Sequence, residues 1–288
     1  MLNPLPLQAV YTGADWHKYW LNSLKSDKTI GLVPTMGALH EGHLDLVRKA
    51  KAESDIVVVS IFVNPTQFNN QEDFDNYPNT IDADLDKLRN ENVDFVFLPN
   101  TKSIYPEKPL VSINFGELER ILEGAFRPGH FNGVGIIVSK LFNIIRPQKA
   151  FFGQKDLQQT GIIKQLVKDL SMDVDLVIVP TRREEDGLAM SSRNMRLTAE
   201  ERQQALILID SLKKAKQELL AGKPWFEVQN QIKCDFEDMP MANLEYFELI
   251  HPESFTRYSE FDSTQNSSIC VAAYLGKIRL IDNLPIIP

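Results

Sequence analysis

The sequence predicts an α/β fold: a Rossmann-like parallel-sheet domain over residues 1–180, followed by a smaller α+β domain over residues 181–288. Three observations carry that reading. Through residue 180, short β-branched runs alternate with helix-period stretches, an order that gives a parallel sheet with right-handed crossovers and helices on both faces. Polar, glycine-bearing loops follow the carboxyl ends of the strands, which is where such sheets bind ligands. Beyond Pro180 the order changes to helices and then strands.

Taken in turn, residues 29–35 are apolar and rich in β-formers, and predict a buried strand. Gly37 supplies a permissive backbone, and Leu44, Leu46 and Val47 open the apolar face of a helix over 44–54. The run DIVVVSIFV predicts a strand over 55–63, followed by a helix near 81–92 and a strand over 93–98. A helix near 134–145, a strand at 149–152, a helix near 157–170 and a strand at 175–179 complete the alternation. In the second domain Thr198 caps a long helix to Leu220, striped by Ala205, Leu208, Leu212, Ala215 and Leu219 and ended by Gly222 and Pro224. A helix near 225–236 follows, then antiparallel strands over 243–250 and over 268–281, the latter broken at Gly276. No repeat, low-complexity tract or long linker intervenes, so the second domain is expected to close over the crevice of the first.

The 288 residues, 43% hydrophobic, suffice for a substantial core. A net charge of −8 argues against a nucleic-acid scaffold, which usually shows a basic face. The N-terminus has no basic segment leading into an apolar one, and no apolar run approaches the ~18 residues of a membrane helix. A soluble, cytoplasmic protein is expected. Cys234 and Cys270 fit no metal spacing or disulfide framework, and are expected to be reduced packing residues.

The chemistry concentrates in a few loops. His40 and His43 lie on one side of a helix's first turn, where unpaired amides and the positive end of the dipole meet. A phosphate chain placed there would find amide donors and two imidazoles. By itself the spacing also serves metal sites, solvated faces and helix caps. A second segment, GLAMSSRN at 187–194, offers two hydroxyls and a guanidinium beside a glycine and would close over phosphates. The loops NPTQF (64–68) and GQKDLQQ (153–159) follow strand ends and converge on the same crevice. Asp82 and Asp84 could approach a magnesium ion, but acids in a helix's first turn usually complement the dipole, and that plainer reading is preferred.

The pair of HEGH and SSRN segments resembles the HxGH and KMSKS-type signatures of the nucleotidyltransferase superfamily. The ordered motifs PTMGALHEGH, SIFVNPTQF, RPGHFNGV, FFGQKDLQQ and DGLAMSSRN resemble more specifically the pantoate–β-alanine ligase (pantothenate synthetase) family, from about Val33 to the C-terminal hairpin. The resemblance implies two steps. A pantoate carboxylate attacks the α-phosphate of ATP, accompanied by Mg2+, to give pantoyl adenylate and pyrophosphate; the β-alanine amine then displaces AMP. It also implies a homodimer with small-molecule substrates only.

Residue by residue, the resemblance places His43 as proton donor, with His40, Lys155, Ser191, Ser192 and Arg193 beside it in catalysis. Attack of one anion on another requires cations and donors aimed at the developing charge, and no protein nucleophile. The nucleotide is expected along Met36, Gly37, Ala38, Leu39, His40, Glu41, Gly42 and His43. It is further expected at Gly153, Gln154, Lys155 and Asp156, the last meeting the ribose, and at Met190 with the Ser191–Arg193 loop. Gln67 and Gln159 match the family's pantoate-binding glutamines, with Gln67 also expected at β-alanine; a neutral amide pairs with a hydroxy acid without blunting its carboxylate. Asn64, Arg127 and His130 are secondary candidates. Arg182 is a departure, since relatives more often carry an aliphatic residue near the adenine; backbone contact or stacking of the guanidinium would accommodate it. Two other classes compete. NPTQF and FFGQKDLQQ weigh against a nucleotidyltransferase that keeps the nucleotide on its product, and the acidic charge weighs against a non-catalytic nucleotide-binding module or tRNA-linked synthetase relative.

Overall fold

The computed structural model describes residues 7–286. The chain divides into two compact units, one running to Gln154 and resuming over Ile162–Pro180, the other made of Lys155–Gly161 and the residues from Thr181 on.

The first unit contains, in order, β1 (Gln8–Val10), α1 (Gly13–Lys25), β2 (Ile30–Thr35), α2 (Glu41–Glu53) and β3 (Ile56–Ile61). A 3-10 turn (Pro65–Gln67), α3 (Gln71–Asp75), α4 (Ile81–Asn90), β4 (Phe95–Phe97) and α5 (Thr101–Ile104) follow. After them come α6 (Leu122–Phe126), α7 (His130–Ile145), β5 (Lys149–Gly153), α8 (Leu157–Asp169) and β6 (Asp175–Val179). The six strands form one parallel sheet in the order β1-β4-β3-β2-β5-β6. Alternate residues leave each strand on opposite faces. Ile30, Leu32, Val58, Ala150 and Phe152 pack with Trp16 of α1, Leu141 of α7 and Ile162 of α8. Val33, Val57, Val59, Val96 and Phe151 pack with Val47 of α2 and Leu88 of α4. Both faces are thus covered, which is why these strands read as nearly continuous apolar runs.

Strand β2 is the topological switch, with β3 on one side and β5 on the other. It pairs with β3 over six residues but with β5 only at Gly31 and Leu32. Because that second ladder stops early, Pro34 costs no hydrogen bond toward β5 although it sits in a central strand. The loops after β2 and β5 begin at this parting, the place where doubly wound sheets bind ligands.

In the second unit, α9 (Ala199–Gln204), α10 (Ile207–Leu220) and α11 (Trp225–Glu237) precede an antiparallel sheet of β7 (Ala242–Ile250), β8 (Ser267–Leu275) and β9 (Ile278–Ile286). Thr198 caps α9 as expected, in a reciprocal capping box with Glu201. The single helix expected from Thr198 to Leu220 is instead two. Ala205 and Leu206 keep ψ near −20° and the bonds there tighten to i→i−3, so Ala205 and Leu208 are both buried. Gly222 (φ +88°) closes α10, with the Lys223 amide reaching Glu218 O, a Schellman ending. Neither cysteine is in a disulfide; Cys270 is a packing residue on β8, whereas Cys234 is exposed on α11, contrary to expectation. Its position follows the polar side of a helix whose buried stripe is Trp225, Val228, Ile232 and Phe236.

One ion pair ties the middle of β9 to the loop that follows β6. The Arg183 guanidinium donates to both Asp282 oxygens, at 2.6 and 3.0 Å, and also to Gly187 O at 3.1 Å and Asn283 O at 3.2 Å. Burial pushes the Asp282 carboxyl up, and the guanidinium opposes that. Removing one partner of such a pair leaves a desolvated charge, so Asp282→Ala is expected to lower unfolding free energy by about 3 kcal/mol in urea titrations. A loss below about 1 kcal/mol would mean the pair behaves as a solvated surface bridge.

Candidate active site

The loop after β2 is built by a left-handed turn. Gly37 and Ala38 both have positive φ, +84° and +50°, and the second is uncomfortable for a residue with a Cβ, by about 1–2 kcal/mol. The turn aims the amides of Ala38 and Leu39 at one carboxylate, Asp84, at 2.9 and 2.8 Å. Asp84 also accepts from Thr80 Oγ1 at 3.1 Å and is fully buried. Bonds to a charged acceptor contribute about 1.5–3 kcal/mol each, enough to offset the strain. Asp84 and Asp82 both lie in the first turn of α4, where acids complement the dipole; Asp84 in addition anchors the loop, whereas Asp82 is exposed. From one turn further along α4, Lys87 donates to Leu39 O.

The fixed loop delivers His40 and His43 to the start of α2. His40 Nδ1 accepts from Gly42 N at 3.2 Å, and His43 Nδ1 accepts from His40 N at 3.3 Å, a reciprocal capping box made by two imidazoles with ring centroids 4.0 Å apart. Using Nδ1 as acceptor puts the proton of each neutral ring on Nε2. The cap engages only Nδ1 of each ring, so capping does not compete with a further role for Nε2.

After β3, Gln67 closes the Pro65–Gln67 turn with its Nε2 3.0 Å from Met36 Sδ. Behind it lies Asn64, 1% exposed. Asn64 Nδ2 donates to Gln67 Oε1 at 3.1 Å and to Gly133 O at 3.2 Å. Its Oδ1 accepts from the Thr66 hydroxyl and from Tyr105 Oη, both at 2.9 Å. The secondary candidates sit behind Gln67 as well: His130 Nδ1 lies 2.8 Å from Gln67 O, and Arg127, paired with Glu123 at 3.3 Å, reaches the same carbonyl at 3.4 Å. Gly133 permits the approach of α7, since a Cβ there would stand 2.3 Å from Thr66 O. Gly153 ends β5, the sheet neighbour of β2, and Gln154 opens the 3-10 turn that follows.

The second unit gathers the other candidates. Lys155 Nζ lies 3.6 Å from Asp156, and Lys155 O accepts from Asn283 Nδ2 at 2.9 Å. Gln159 lies on the first turn of α8. The chain from Arg182 doubles back through Gly187 (φ +96°), so that Met190 N bonds Arg182 O at 3.0 Å and Arg183 bridges Ala189. The Arg182 backbone thus holds Met190. Ser191 then caps the 3-10 turn Ser192–Arg196, its Oγ accepting from Arg193 N at 3.3 Å. Asn194 fixes the far side through Glu184 and Ala189 O, at 3.0 and 3.1 Å.

Sequence reasoning missed Asp84 as an anchor, Tyr105, and the Arg183–Asp282 pair. Asp84 had the right type in a place with an ordinary explanation, and the other two lie outside every motif.

The profile of the family described as pantoate-beta-alanine ligase matches residues 9–285. A pantothenate synthetase of Thermosipho africanus is 47% identical over 262 residues, 91% of this chain and 93% of its own length. The crystal structure of pantothenate synthetase from Thermus thermophilus matches with a TM-score of 0.89 at 37% identity, covering 98% of this chain and 100% of the other. That of pantoate-beta-alanine ligase from Francisella tularensis, complexed with beta-gamma ATP and beta-alanine, gives 0.81 at 39% identity, covering 96% and 97%. With all five motifs inside the matched span and the fold shared end to end, the chain belongs to the pantoate–β-alanine ligase family.

Proposed function

We propose that the protein condenses (R)-pantoate with β-alanine in an ATP-dependent reaction, yielding pantothenate, AMP and pyrophosphate through pantoyl adenylate. The observation that carries this is the paired histidine cap after β2, with both Nδ1 atoms engaged as acceptors, which in a neutral ring leaves the proton to Nε2. The Francisella relative's complex with beta-gamma ATP and beta-alanine supports the substrate assignment.

In this reading a pantoate carboxylate oxygen attacks the α-phosphorus, the new P–O bond forms, and the bond to pyrophosphate breaks. The departing charge meets the Nε2 protons of His40 and His43, the Lys155 ammonium, and the Ser191, Ser192 and Arg193 donors. Gly153, Gln154 and the Asp156 carboxylate take the adenosine side, Arg182 and Met190 the adenine, and Gln67 and Gln159 the acid. The β-alanine amine then attacks the acyl carbon beside Gln67, and AMP leaves with the bonding electrons. Magnesium is proposed to travel with the nucleotide. A homodimer in the cytoplasm, without nucleic-acid partners, completes the proposal; the net charge of −8 supports the last point, and no described helix is long and apolar enough to cross a membrane.

Incubation with ATP, magnesium, pantoate and β-alanine should yield AMP, pyrophosphate and pantothenate in equal amounts. Without β-alanine, labelled pyrophosphate should exchange into ATP only when pantoate is present, since activation precedes amine attack. Exchange that required β-alanine would exclude a free-standing adenylation step.

The histidine geometry gives a sharper expectation. His43→Ala should slow single-turnover adenylation by ~10²-fold or more, while aminolysis of preformed pantoyl adenylate suffers less, because only the first step concentrates charge on pyrophosphate. His43→Gln, which keeps a donor, should recover part of the loss. Adenylation near the wild-type rate in a folded His43→Ala protein would return this residue to capping alone.

A further inference from the structure

The polarity of the amide chain behind Gln67 is dictated by the backbone. The Thr66 N–H, 3.4 Å from Asn64, can only donate, so the atom it meets is Oδ1; the Gly133 carbonyl, 3.2 Å away, can only accept, so the atom it meets is Nδ2. Nδ2 in turn faces Gln67 at 3.1 Å, so the Gln67 atom there is its oxygen, and the Gln67 NH2 is turned the other way, toward Met36. Asn64 commits its two protons to Gly133 and Gln67, and its oxygen takes the Thr66 and Tyr105 hydroxyls. It therefore has no bonding capacity for a substrate and acts through Gln67.

We propose that Tyr105 is a positioning residue for the acid substrate: its hydroxyl locks the Asn64 amide, and Asn64 then holds Gln67 with its NH2 as the group presented to pantoate. Thr66 is two residues from Asn64 and moves with the same turn, whereas Tyr105 lies at the end of α5 and supplies an external reference. Its ring is fixed independently, 9% exposed, tilted against Phe62 at 6.3 Å, with Lys140 Nζ 5.4 Å from the ring centroid. Burial pushes the phenol up, which keeps its proton in place as the donor. The consequence is a specificity rule. The position Gln67 serves takes an acceptor oxygen, a carboxylate or hydroxyl of a hydroxy acid.

The inference rests on the reading of Gln67 as a pantoate ligand, and the test separates the two. Steady-state kinetics are measured for Gln67→Ala, Tyr105→Phe and the double variant, each with its unfolding transition followed. Tyr105→Phe keeps the ring and is expected to raise the pantoate KM roughly five- to tenfold, the loss of one hydrogen bond, while the ATP KM stays within about twofold. In the Gln67→Ala background the same change should add nothing, because the group it positions is gone. Additive effects, or an ATP KM that rises in step with that for pantoate, overturn the relay while leaving Gln67 in place. A Gln67→Ala enzyme with an unchanged pantoate KM removes the reading of Gln67, and the relay with it.

Discussion

The carboxylate of Asp84 holding the amides of Ala38 and Leu39 is the constraint on which the proposed phosphate end of the site depends. The β2 strand delivers the chain to the switch point, but a loop leaving a strand end is free to wander. Two residues in the left-handed region, one of them an alanine, turn it through a path that only a strong acceptor makes worthwhile. With Lys87 gripping the carbonyl of Leu39, both backbone polar groups of that residue are held from α4. His40 follows immediately and inherits a defined position as the N-cap of α2. A site addressing phosphates needs its donors set before the substrate arrives, since reorganisation during the reaction would consume the stabilisation they offer.

The same preorganisation recurs in the imidazoles. A serine or aspartate would cap α2 equally well, but would leave no second ring nitrogen. Histidine caps with Nδ1, which selects the tautomer, and carries the proton on Nε2. The cap bonds themselves thus orient both rings through Nδ1.

Much of this was legible in the residues because the governing forces are local. The parallel strands announced themselves as β-branched runs, since both faces of the sheet are buried; Thr198 and Gly222 marked helix ends through cap chemistry that acts over a few residues. The short elements β1, α3, α5 and α6 escaped, because three residues of strand or one turn of helix carry no periodicity; β1 exists through its ladder with β4, in which Gln8 meets Phe95. The thirteen-residue α1 escaped for another reason: it buries only Trp16 and Ser23, which makes no apolar stripe. The break at Ala205–Leu206 escaped because the stripe of apolar residues is compatible with one helix or two. In the site, motif residues were found and their supports were not. Asp84 looked like any first-turn acid, Tyr105 like a lone aromatic after a short helix, and Asp282 like a polar residue in a strand. Each acquires its role from a partner distant in sequence, 45 residues for Asp84, 41 for Tyr105 and 99 for Asp282, and pattern reading does not reach that far.

The charges are also apportioned in a way the proposed chemistry demands. A carboxylate that must attack phosphorus is a poorer nucleophile when a guanidinium holds it in a bidentate pair, because bonds to charged donors are roughly twice as strong as neutral ones and must be loosened in the transition state. Arg127 stands within reach of Gln67, yet its charge is directed to Glu123, with side-chain exposures of 16% and 8%, and to the Gln67 backbone. What the Gln67 side chain offers an acid is then a neutral NH2, held by a chain of neutral groups through Asn64 to Tyr105. The cations proposed to act on the phosphates, Lys155 and Arg193, come from other segments. In the proposed reaction, neutral donors for the nucleophile and charged donors for the leaving group would lower the barrier at both ends of the transfer, whereas exchanging them would stabilise the ground state of the attacking oxygen and leave the pyrophosphate unaided.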